Sequence, residues 1–134
     1  MNLITHQRGK STTVSTGSKW EPLMGYSRAV KRGQHVYVTG TVGINADGTF
    51  TPSLEAQTRR SLEIILAALK AVGADATNVV RTRIYTTDIS KWEEIAKVHG
   101  SIFADVRPAT TLLGVAKLID DAALIEIEAD AVLD

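Results

Sequence analysis

The stretch "YSRAVKRGQHVYVTGTVG", residues 26–43, carries β-branched and aromatic residues at a period of two on both sides of Arg32-Gly33. That period suits a pleated, half-buried surface, and a glycine at the interruption suits the turn between two such runs. The stretch predicts a β-hairpin whose second strand runs from His35 to Thr41. "NADGTF", Asn45 to Phe50, follows with an Asp-Gly turn signal. The period then changes. In "TPSLEAQTRRSLEIILAALKAVG" Leu62, Ile65, Leu66, Leu69 and Val72 recur at spacings of three and four, the stripe of a helix with one buried face. Thr51 is placed to cap this helix, Pro52 to take its first position, and Gly73 to stop it.

"NVVRTRIYTTDI" returns to a period of two, setting Val80, Thr82, Ile84 and Thr86 against Val79, Arg81, Arg83 and Tyr85. Ser90 and Glu93 have the spacing of a capping box, ahead of a second helix whose apolar face is Trp92, Ile95, Ala96, His99, Ile102 and Phe103. After Pro108 two strands are expected, Thr111 to Leu118 and Leu124 to Val132, separated by "IDDA". The order is ββαβαββ. Residues 1–21, rich in Thr, Ser, Gly and Lys, read as an arm or extra edge strand with little core, and residues 22–132 as the core of a single domain spanning 1–134. The simplest packing is an α+β fold with both helices on one face of a single mixed sheet.

The last strand describes the other face. Ile125, Ile127, Ala129 and Ala131 point one way, and Leu124, Glu126, Glu128 and Asp130 the other. Three carboxylates in a row must meet water, basic groups or another subunit. Arg81 and Arg83 are the basic groups at hand.

Fifteen basic residues balance fifteen acidic ones, which disfavours nucleic acid and anionic membranes as partners. The absence of cysteine excludes disulfides, thiolate nucleophiles and thiolate metal sites, and suits a cytoplasmic location. No apolar run approaches the roughly 20 residues that span a bilayer. "GKST" at Gly9 to Thr12 resembles the end of a phosphate loop, but Ile4 stands where the loop needs glycine. His6, His35 and His99 form no paired ligand motif, and His99, on an apolar stripe, reads as a core or boundary histidine. No nucleophile-elbow pattern surrounds the serines.

Four segments in this order carry a resemblance: "GYSRAVKRGQHVYVTGTVGINADGTF", "AQTRRSLEIILAALKAVGADATNVVRTRIYTTDI", "RPATTLLGVAKL" and "IEIEADAV". Together they resemble the Rid superfamily (YjgF/RidA, endoribonuclease L-PSP) from about Gly25 to Val132. The resemblance implies a chorismate-mutase-like fold, a homotrimer, and a small-molecule cleft at each subunit interface. It implies hydrolysis of reactive enamine or imine acids to keto acids and ammonia, without cofactor or metal.

Residue by residue, the family's tyrosine falls on Tyr26, its hydroxyl-glycine pair on Thr39-Gly40, and its water-positioning glutamate on Glu126. In the hydrolase reading, backbone amides near Thr111, Leu112 and Leu113 would receive developing negative charge. The arginine that clamps the substrate carboxylate normally follows Pro-Ala; here "PATT" puts Thr110 in its place. A threonine offers one neutral donor where a guanidinium offers two charged ones. Arg28 and Arg107 are the candidates to replace it, each with an alternative reading as a solvated or structural charge. Two functions follow from different classes: a hydrolase of the imine-deaminase type acting on a small carboxylate, or a metabolite-binding trimer that senses or sequesters. Endoribonuclease or translation-inhibitor action ranks third, since the chain has neither a basic stripe nor a histidine pair.

Overall fold

The computed structural model describes residues 2–134 and contains one seven-stranded sheet. Its strands are β1 (Ile4–Arg8), β2 (Ser11–Ser15), β3 (Ala29–Arg32), β4 (His35–Val42), β5 (Val79–Thr86), β6 (Ala109–Gly114) and β7 (Ile125–Val132). The helices are α1 (Trp20–Met24), α2 (Leu54–Ala71) and α3 (Trp92–Phe103). The sheet order is β1-β2-β3-β4-β7-β5-β6, with β5 and β6 parallel and every other pair antiparallel. α2 lies on β4 and β7 and packs against α3, so the two long helices share one face.

The alternation of β7 is realised as expected. Ile125, Ile127, Ala129 and Ala131 are buried under the helices, while Glu126, Glu128 and Asp130 are half-buried on the opposite face. Arg83 answers two of these carboxylates, at 2.9 Å from Glu128 and 3.3 Å from Asp130. Arg81 forms no ion pair among the described residues.

Two bulges break the strict period of two. In β4, Val38 pairs with Ala129 and Thr41 with Ile127, so Thr39 and Gly40 together oppose one residue of β7. Val36, Val38 and Thr41 therefore all reach the core. In β5, Val79 pairs with Ala131 and Arg81 with Asp130, which turns Val80 outward. The expected grouping of Val80 with Thr82, Ile84 and Thr86 fails there, and Val79 takes the buried place.

Other expectations are corrected at element ends. Ser53, not Thr51, caps α2: it is extended, and its hydroxyl accepts from the Ala56 N–H. The capping box of Ser90 and Glu93 does not form, because Ser90 donates to Asp88 at a 3-10 turn and Lys91 takes the N-cap position of α3 with no side-chain cap bond. Trp92 and Ala96 are exposed, and the buried face of α3 is Ile95, Val98 and Phe103. β6 starts at Ala109 and ends at Gly114, short of Leu118. The N-terminal arm is a hairpin that adds two strands, and its Val14 is wholly buried in the core.

Candidate active site

A cleft of about 900 Å³ opens beside the β4 bulge. The bulge shapes its floor. An ideal Cβ on Gly40 would lie 2.4 Å from Glu126 Oε2, so only glycine lets the carboxyl rest on the strand. Glu126 forms no hydrogen bond or ion pair among the described residues. Burial, with the neighbouring charge of Glu128, pushes its carboxyl above the usual range, and Arg28 partly opposes the shift. An unpartnered carboxyl held above its ordinary pKa in a cleft is suited to taking and returning a proton.

Arg28 is committed inside the chain. Its side chain is 7 % exposed, donates to Gly40 O at 3.0 Å and Thr41 Oγ1 at 3.2 Å, and stands 3.5 Å from Glu21. Its Nε is buried without a partner. Glu21 in turn accepts from Ser15 and Thr16. Burial raises the Glu21 carboxyl, but those hydrogen bonds and Arg28 outweigh it and hold the group below its usual range. The result is a buried brace from the end of β2 and α1, through Arg28, to the bulge beneath Glu126. Tyr26 completes it, its ring 5.6 Å from the guanidinium.

Of the residues singled out in the sequence, Tyr26, Arg28, Thr39, Gly40 and Glu126 line this one cleft. Arg107, Thr110, Thr111 and Leu112 do not; they lie on and before β6, at the far edge of the sheet. Arg107 follows α3 with φ 57°, donating its N–H to Phe103 O at 2.8 Å, so its backbone terminates the helix in a left-handed turn. The Thr110 hydroxyl bonds to Thr82 Oγ1 at 2.8 Å, which meets His99 Nε2 at 2.9 Å. His99 is half-buried, and burial holds its pKa below the usual value, so the ring is neutral at pH 7.

The sequence reading missed the cleft walls supplied by Lys19 and Trp20 of the arm, by Met24 at the end of α1, by Arg60 and Ile64 of α2, and by Ile119. A tryptophan in an otherwise polar arm was the one available signal. Arg60 is fixed by donating to Ile44 O at 2.8 Å and lying 3.6 Å from Glu63. Among the described residues no group of three or more His, Cys, Asp or Glu side chains is placed to hold a metal ion. Among the described residues no helix is long and apolar enough to cross a membrane.

Comparison with known proteins agrees with this architecture. The family described as Endoribonuclease L-PSP matches residues 16–133. The crystal structure of Rv2704 from Mycobacterium tuberculosis, described as a member of the YjgF/YER057c/UK114 family, superposes with TM-score 0.86 at 46 % identity, covering 92 % of this chain and 99 % of that one. The rat protein named 2-iminobutanoate/2-iminopropanoate deaminase is 31 % identical over 121 residues, 89 % of this chain and 88 % of its own. The crystal structure of E. coli TdcF with bound serine superposes with TM-score 0.76 at 26 % identity, over 81 % of this chain and 88 % of that one. With the family match, the motif order and the sheet in agreement, this chain is a member of the Rid superfamily, the YjgF/RidA or endoribonuclease L-PSP proteins.

Proposed function

We propose that the chain is a hydrolase of the imine-deaminase type, and that Glu126 activates the water. The observation that carries this reading is the Glu126 carboxyl itself: unpartnered, half-buried, raised by burial, and seated on Gly40 in the cleft. In the reaction a water oxygen bonds to C2 of a 2-imino acid as Glu126 takes its proton. The tetrahedral adduct receives that proton on nitrogen; Glu126 then takes the proton of the new hydroxyl and passes it to the same nitrogen, so that the C=O bond forms as the C–N bond breaks and ammonia leaves a 2-keto acid. Arg28 acts as a positioning residue, since both ends of its guanidinium are engaged by the chain.

The site is completed by assembly. A homotrimer would bring β6 of a neighbouring subunit, with Arg107, Thr110, Thr111 and Leu112, to the cleft, and the exposed sheet face would be buried in the contact. The names of the rat deaminase and of the serine-bound E. coli protein support a small amino-acid-like ligand. A binding-only role is the second reading, favoured by Thr110, whose hydroxyl is already engaged by Thr82.

Imines generated by an amino-acid oxidase and followed by their loss test the proposal. The wild type should accelerate hydrolysis of at least one 2-imino acid above the buffer rate. 2-Iminobutanoate should be a poor substrate because its carboxylate finds no charged clamp at Thr110, and Thr110→Arg should raise that rate. Binding of keto acids with no acceleration of any imine would favour the binding module.

A further inference from the structure

The walls of the cleft contrast with its floor. Trp20 and Met24 of α1, Ile44 after β4, Ile64 of α2 and Ile119 before β7 present an apolar surface from four separate segments. Met24 and Ile119 are 67 % and 52 % exposed, so they stand at the rim, while Ile64 is nearly buried and lies deeper. Of the cationic side chains that line the cleft, Arg28 and Arg60 are already paired with Glu21 and Glu63, and Lys19 is the one with no carboxylate partner among the described residues, placed to meet an anion. Yet the position that usually clamps the carboxylate holds Thr110. Affinity for a small imino acid must then come from elsewhere in the ligand.

We infer that the cleft selects 2-imino and 2-keto acids with a branched or aromatic side chain, and that Trp20, Met24 and Ile119 are the specificity-determining wall. The inference rests on the hydrolase reading for its substrate type. The occupant of the apolar surface is the ligand's own side chain, because the wall is continuous with the floor that holds Glu126 and Arg28. Each methylene moved from water onto such a surface is worth about fourfold in affinity. Two further carbons offset roughly a decade, the order of loss expected from one missing charge-assisted pair.

Stable keto acids test this without requiring turnover. Calorimetric titration of the full-length protein with 4-methyl-2-oxopentanoate and with 2-oxobutanoate should give at least tenfold tighter binding of the six-carbon acid. Ile119→Ser, an exposed rim change that leaves the fold intact, and Trp20→Ala should each reduce that ratio to about threefold or less, by weakening the larger acid. Equal affinities, a preference for the smaller acid, binding of neither, or a ratio untouched by both substitutions would overturn the inference. A catalyst that prefers the four-carbon imine would sink this inference and keep the hydrolase. An inert protein that discriminates tenfold would sink the hydrolase and keep the selective wall.

Discussion

At the scale of single residues, two glycines separate chemistry from stability. A Cβ on Gly40 meets only the end of the flexible Glu126 side chain, whereas one on Gly43 would lie 2.2 Å from the backbone oxygen of Gln57 in α2. Gly40→Ala should therefore melt within a few degrees of wild type while turnover falls at least tenfold, the carboxyl having been displaced. Gly43→Ala forces β4 and α2 apart and should destabilise by about 3 kcal/mol, the range of core overpacking. Paired melting curves and initial rates check both. Neither contact was legible in the sequence: "TGTVG" shows a hydroxyl-glycine pair and a second glycine, but not that one faces a side chain and the other a helix. The face that Glu126 takes was legible from the alternation of β7, which placed Glu128 and Asp130 there as well, and its candidacy over those two came from the family resemblance.

At the scale of elements, periodicity located the strands and long helices, and local competition for hydrogen bonds decided their ends. Ser53 and Thr51 are both sound cap residues, and the extended backbone at Ser53 selected it. Ser90 donates its hydroxyl to Asp88 and accepts from no helical N–H. The bulges escaped a period-two reading because each inserts one residue and reverses the phase. The brace joining α1 and β2 to β4 was hidden too, since Glu21 belongs to an arm whose polar composition concealed its burial. Replacing Arg28 by Met leaves Glu21 buried without its cation and should cost about 3 kcal/mol. Glu21 is held below its usual pKa, so its contribution is present above the unfolded value and lost as pH falls through the folded one. The gap between wild type and Arg28→Met in denaturant melts should narrow over that acidic window. A pH-independent gap would mean that the brace acts by packing alone.

At the scale of the whole molecule, one sheet face is covered by helices and the other presents Tyr37 and Leu113, each about half exposed, beside Arg83, Glu128 and Asp130. A surface mixing aromatic, aliphatic and paired charged groups is suited to a copy of itself, and light scattering at micromolar concentration should give a trimer. A stable monomer would leave Arg107 and Thr110 without a cleft to reach. The sequence displayed both halves of the proposed site but not their separation across the sheet, because sheet order is set by long-range pairing that no local pattern carries. The central claim, that Glu126 activates water, is tested most directly by the rate of imine loss in Glu126→Gln. The amide keeps the shape of the carboxyl but accepts no proton, and its folded state escapes the cost of ionising a group raised by burial, so the variant should be at least as stable as wild type at neutral pH. Turnover should fall at least a hundredfold, with keto-acid binding retained; full turnover in a folded Glu126→Gln protein would contradict the account.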